Sequence, residues 1–192
     1  KIFVPKKEVT DEDIKKSIYK RMQLTGKADL KLLEGLTWSA NFSYMTDQNT
    51  SNVYHSTQSQ IDNSHGLATR NTYMGNKTVF ETYGNYLKTL AEKHRIGVMV
   101  GYSWEESNNN DGFGVTVKNF YNDDVKYNNL SYANTIDGMD GVESGAESTL
   151  RMISFYGRAN YSFDGKYNLQ ATIRRDGSSA FGKNNRWATF PS

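Results

Sequence analysis

Residues 150–174 read LRMISFYGRANYSFDGKYNLQATIR. Ile153, Phe155, Gly157, Ala159, Tyr161 and Phe163 fall on one parity, and Ser154, Tyr156, Arg158, Asn160 and Ser162 on the other. This two-residue period marks a strand with one apolar and one polar face. Asp164-Gly165 follows, a dipeptide that accepts positive φ and closes tight hairpins. The pattern then resumes with Tyr167, Leu169, Ala171 and Ile173 against Asn168, Gln170, Thr172 and Arg174. The segment therefore predicts an antiparallel hairpin with a continuous apolar face.

The same signature recurs toward the N-terminus. Ile96, Val98, Val100, Tyr102 and Trp104 oppose Arg95, Gly97, Gly101 and Ser103, and Trp38, Ala40, Phe42 and Tyr44 oppose Thr37, Ser39, Asn41 and Ser43. Ala28, Leu30 and Leu32 alternate with Lys27, Asp29 and Lys31, and Thr78–Lys88 reads as a strand whose faces do not separate cleanly. Trp187–Phe190 begins a further strand. The connections alternate in length. Tight turns are expected near Gly35, Glu92 and Gly165, and long polar loops at 47–77, 107–149 and 177–186, with Gly114–Val117 pairing within the second. In an up-and-down meander this puts the short turns at one end and the long loops at the other, as in outer-membrane barrels. The expected fold is all-β: antiparallel up-and-down transmembrane β-barrel strands, forming part of a barrel, with long extracellular loops. About six strands are legible, fewer than the eight of the smallest such barrels, so a larger barrel is expected.

Composition agrees. The 192 residues are 36% hydrophobic yet 13% aromatic, with 13 Tyr and 9 Phe, a mixture suited to half-buried strands. The absence of cysteine excludes a disulfide framework and thiolate chemistry. A net charge of +2 gives no reason to expect nucleic acid as a partner. No apolar run approaches a membrane helix. Residues 1–25 differ from the rest: Thr10-Asp11-Glu12-Asp13 ahead of Ile14, Ile18 and Met22 reads as a capped short helix ended by Gly26, a surface-loop helix between strands, distinct from the barrel segment 26–192.

Chemistry-bearing groupings are weak. His55, His65 and His94 lack metal-ligand spacing. The acidic run Asp137–Glu143 lacks the order of a calcium loop, and Gly112-Phe113-Gly114 lacks the context of a phosphate loop. No nucleophile elbow occurs. Arg174-Arg175-Asp176 reads first as a structural ion pair at the strand mouth, locking the Asp176-Gly177 turn, and only second as a ligand clamp. No enzyme, cofactor or metal site is expected.

Residues 150–192 also carry a resemblance. With RRDGSSAFGKNNRWATFPS completing the stretch, they resemble the SusC/RagA family of TonB-linked outer-membrane receptors, whose pattern runs ISFFGRxNYSF, a tight turn, then YxLxATxRRDGSSxFGxxNRWGxFPS. Ala188 stands where the family often has Gly. Residues 79–104, VFETYGNYLKTLAEKHRIGVMVGYSW, look like a second family hairpin. The resemblance implies a barrel of about 22 strands with an N-terminal plug. It implies import of oligosaccharides or peptides across the bacterial outer membrane, driven by the TonB complex. It also implies a SusD-like surface lipoprotein as partner. The signal peptide, TonB box, plug and terminal strand of such receptors are not recognisable here. On that reading Arg158, Asn160, Gln170, Thr172 and Arg174 face the lumen, and Tyr54, Tyr73, Phe113, Tyr121 and Tyr127 are loop aromatics placed to stack on a glycan or peptide ligand. The apolar set Val98, Val100, Ile153, Ala159, Leu169 and Ile173 meets outer-membrane lipid. The alternative is a soluble all-β carbohydrate-binding or adhesin module.

Overall fold

The computed structural model describes residues 13–59, 65–136, 142–144, 147–182 and 184–192. Seven strands form an antiparallel meander: β1 (Ile14–Leu33), β2 (Leu36–His55), β3 (Leu67–Leu90), β4 (His94–Phe120), β7 (Glu147–Phe163), β8 (Tyr167–Ser178) and β9 (Trp187–Pro191), hydrogen-bonded in that order. Two short strands, β5 (Ala133–Ile136) and β6 (Val142–Ser144), pair with the far end of β4, Val117 opposite Ile136 and Gly114 opposite Glu143. The expected pairing of Gly114–Val117 is thus present.

The three tight turns stand where the sequence puts them, at Glu34-Gly35, Ala91–Lys93 and Asp164–Lys166. Their residues take positive φ: Gly35 at 80°, Ala91 at 47°, Glu92 at 61°, Asp164 at 51° and Gly165 at 68°.

Two expectations are corrected. Residues 14–25 are strand, not helix: β1 runs unbroken through Gly26. The four-residue spacing of Ile14, Ile18 and Met22 satisfies a helix but is also even, so it fits one strand face equally well. Leu24, off the helical stripe but on the strand parity of Ala28, Leu30 and Leu32, decides for the strand. The helix-cap residues Thr10, Asp11 and Glu12 lie outside the described residues. The loops are also shorter than 47–77, 107–149 and 177–186, because β2 extends to His55, β3 starts at Leu67, β4 reaches Phe120 and β8 reaches Ser178. In these extensions Asn, Ser, Thr and Gln occupy both faces, so hydrophobic alternation vanishes while backbone pairing continues. Strands of 20, 20, 24 and 27 residues far exceed the roughly 9–11 that cross a bilayer.

The chain divides into two compact units. One comprises the described residues of 1–21, 47–75 and 109–147 and holds a small core. Tyr54, Ala68, Val117 and Phe120 are buried, with Val125, Tyr127, Leu130 and Ala133 packed against them. Tyr54 meets Phe120 edge-on at 5.3 Å. Its hydroxyl donates to Asp123 at 2.6 Å, and Asp123 also accepts from the Thr57 amide and hydroxyl, both at 2.8 Å. Asp123→Ala strands a buried hydroxyl and an amide, at about 1–3 kcal/mol. The expected result is faster amide exchange at Thr57 with the tight-turn strands unaffected.

The other unit, 22–46, 76–108 and 148–192, contains all three tight turns and has none of the buried apolar residues found among the described residues. Its apolar face lies open: Leu30 is 61% exposed, Val100 53%, Leu169 70% and Ile173 55%. A contiguous open apolar face of this kind calls for lipid or a partner. Aromatic groups bracket it. At one end Tyr102, Phe155 and Trp187 meet at 5.3 and 6.2 Å, with Arg175 over the Trp187 ring at 5.4 Å. At the other end His94 meets Phe163 at 4.9 Å and hydrogen-bonds the Tyr161 hydroxyl at 2.7 Å. From Phe155 to Phe163 the strand covers about 26 Å, close to the ~25 Å apolar band between the aromatic girdles of outer-membrane barrels.

Candidate functional site

The opposite, polar face of this second unit is the candidate site. The β7–β8 register sets Ser154 opposite Asp176, Tyr156 opposite Arg174, Arg158 opposite Thr172 and Asn160 opposite Gln170. Cross-strand partners project from the same face of a sheet, so all five residues named from sequence are brought together. Arg158, Thr172 and Arg174 border a cavity of about 410 Å³ with Glu81 and Tyr83. Asn160 and Gln170 border another of about 430 Å³ with Arg95 and Asn168.

A polar chain crosses several strands. Arg174 Nε donates to both carboxylate oxygens of Asp176 at 2.8 and 2.9 Å, and its Nη2 to Ser154 at 3.2 Å. Arg174 is thus engaged in the ion pair the sequence favoured, but the pair locks no turn: Asp176 and Gly177 are paired residues within β8, opposite Ser154 and Ile153 of β7. The Tyr156 hydroxyl donates to Glu81 Oε1 at 2.7 Å, and Asn41 Nδ2 donates to Glu81 Oε2 at 3.2 Å. Tyr156 sits on β7 and Glu81 on β3, with β4 between them. The reach is possible because β4 carries glycine there: a Cβ on Gly101 would stand 2.3 Å from the Tyr156 ring. Glu81 was not singled out from sequence, because the faces of 78–88 do not separate by hydropathy, and Tyr156 was read only as a polar-face residue of its strand. Gly101, the gap on the polar face of β4, is the signal that a neighbouring ring crosses. The face offers fixed donors and acceptors. Among the described residues no His, Cys, Asp and Glu side chains group as a metal site, and the run 137–141 lies outside the described residues.

The aromatic candidates fare differently. Tyr54 is fully buried in the small core, so packing, not ligand stacking, accounts for it. Tyr54, Tyr73 and Phe113 stand on strands β2, β3 and β4, not on loops. Tyr73 is half-buried and donates to Asn109 at 3.3 Å. Phe113 and Tyr121 are 54% and 74% exposed, and Tyr127 leans against the core.

In the same unit as that core, Arg21 Nε and Nη2 donate to Asp47 at 2.6 and 3.1 Å, and the Tyr19 hydroxyl donates to the same carboxylate at 2.5 Å. The Arg21 hydrogen bond first, then that of Tyr19, holds the Asp47 carboxyl below its ordinary 3.8. A depressed carboxylate stabilises the fold above its unfolded pKa and loses that contribution as pH falls through the folded one. The β1–β2 cross-strand link should thus persist from pH 8 to 5 and weaken only below about pH 4, as an NMR titration of the Arg21 side-chain protons would show.

These features define a class: a stretch of antiparallel barrel wall with one apolar and one polar face, of the kind found in TonB-dependent receptors. No family model matches the chain, but individual proteins do. TonB-dependent receptor P39 of Formosa agariphila is 30% identical over 172 residues, 85% of this chain and 15% of that receptor. TonB-dependent receptor P3 of the same species is 34% identical over 115 residues, 60% of this chain and 11% of the receptor. TonB-dependent receptor SusC of Bacteroides thetaiotaomicron is 54% identical over 41 residues, 21% of this chain and 4% of SusC. Among solved structures, the RagAB peptide transporter superposes with a TM-score of 0.85 at 24% identity, covering 94% of this chain and 20% of the matched chain. The chain belongs to the SusC/RagA family of TonB-dependent receptors, and it spans about a tenth to a seventh of the length of P3 and P39.

Proposed function

We propose that this chain is part of an outer-membrane importer of oligosaccharides or peptides, energised by the TonB complex and working with a SusD-like surface lipoprotein. Its role is binding and gated passage, not covalent chemistry, in keeping with relatives that are receptors and transporters. The observation that carries the reading is the two-faced wall: an open apolar face bracketed by aromatics, backed by the polar chain from Asn41 through Glu81 to Tyr156. In a barrel the first face meets lipid and the second lines the lumen. β1 and β9 are the edges of the described sheet, and pairing with further strands would satisfy their backbone groups within lipid.

The test is uptake by cells with and without the intact receptor, using fluorescent oligosaccharide and peptide mixtures, with the outer membrane solubilised in parallel to recover bound partners. The expected result is loss of uptake of one ligand class on deletion and recovery of a surface lipoprotein with the receptor. Unchanged uptake of both classes, with the receptor recovered alone, would contradict the proposal.

A further inference from the structure

In the unit that holds the small core, a cleft of about 270 Å³ opens between the strands and the turn at Tyr127-Asn128. Lys16 and Lys20 alternate on β1 and so share a face, and Arg70 of β3 completes a cationic lining. Among the described residues none of the three has an ion-pair partner. Three such cations converging on one small cleft repel one another and are complementary to an anion.

Asn52 of β2, which also lines the cleft, is only 5% exposed, and its Oδ1 has no hydrogen-bond partner. A buried acceptor left unpaired is unusual and calls for a donor. A bare anion has none to give, whereas a hydroxyl does. The half-buried Tyr127 ring adds an apolar surface at the rim. The volume lies just below that of drug-sized pockets, so it admits a single ring rather than an extended chain.

We propose that this cleft binds one acidic sugar unit. Its carboxylate or phosphate lies between Lys16, Lys20 and Arg70, a ring hydroxyl donates to Asn52 Oδ1, and the ring rests beside Tyr127. The site stands independently of the import reading, since it needs only that the sugar reach the cleft. The sugar has two possible sources, a soluble acidic oligosaccharide or the phosphorylated sugar headgroup of a membrane lipid.

The intact receptor in detergent is titrated calorimetrically with a uronate trisaccharide, a neutral trisaccharide of equal size, and glucosamine disaccharide bearing phosphates. It is also titrated with vesicles containing lipid A against vesicles of zwitterionic lipid. Binding of at least one acidic probe is expected, weakening at high salt, with the neutral probe at least tenfold weaker. Arg70→Gln and Lys20→Gln should each reduce acidic-probe affinity about tenfold. Asn52→Leu should reduce it while leaving the salt dependence unchanged, a separation that a general charge effect would not give. A response to the soluble probes assigns the site to free saccharide, and a response confined to lipid A vesicles assigns it to the headgroup. Equal binding of neutral and acidic probes, or no loss in the Arg70 and Lys20 variants with circular dichroism unchanged, overturns the proposal. Uptake of neutral ligands by the variants should be normal, so failure here is distinguishable from failure of the import reading.

Discussion

Arginine at Ile173 is expected to destabilise the intact receptor by about 1–3 kcal/mol, the cost of a cation on the lipid face of a barrel between its midplane and its aromatic girdle. Arginine at Thr172, one residue away, is expected to cost less than about 1 kcal/mol. The two positions are neighbours on β8 and project to opposite faces. Ile173 pairs with Gly157 on the open apolar face, and Thr172 pairs with Arg158 on the polar one. Urea unfolding of the receptor refolded into lipid vesicles measures both. Similar costs at the two sites would mean that the faces are not divided between lipid and lumen.

Gly35→Val should be the most damaging of the turn substitutions, by about 3 kcal/mol or more. Gly35 has φ +80°, and a Cβ there would stand 2.2 Å from the Leu87 carbonyl oxygen, a backbone atom that cannot swing aside. Gly35 also accepts a hydrogen bond from the Leu87 amide at 2.8 Å, so the turn is docked on β3. A positive-φ β-branched residue costs about 1–2 kcal/mol by itself, and displacing the docked turn adds the hydrogen bond and local packing. Gly165→Ala is the control. Gly165 also has positive φ, 68°, but nothing lies within 4 Å of its would-be Cβ, so only the conformational cost of about 1 kcal/mol remains. If the two variants unfold at the same urea concentration, the docking of the first turn contributes nothing.

Legibility in the sequence followed the division of the faces. Where one face is apolar and the other polar, as in β4, β7 and β8, hydropathy alternates and the strands, faces and hairpin could be read directly. Where the same strands continue with polar residues on both faces, as in 47–55 and 105–113, alternation disappears and the extensions looked like loops. Residues 14–25 misled for a related reason: Lys16 and Lys20 interrupt the apolar parity, leaving an even four-residue spacing that a helix also satisfies. The polar-face residues Arg158, Asn160, Gln170, Thr172 and Arg174 followed from parity alone. Glu81 did not, because its relation to Tyr156 passes over a different strand and depends on the missing side chain of Gly101. The burial of Tyr54 was equally invisible, since its partners Ala68, Val117 and Phe120 come from distant stretches of chain.

The claim that the two faces are lipid and lumen is tested most directly by cysteine labelling in native outer membranes. Single cysteines at Ile173 and Thr172 are introduced into the intact receptor, with any other cysteines removed, and exposed to a small water-soluble maleimide and to a lipophilic one. Thr172→Cys is expected to react with the water-soluble reagent and Ile173→Cys only with the lipophilic one. Reaction of Ile173→Cys with the water-soluble reagent at the rate of Thr172→Cys would contradict it.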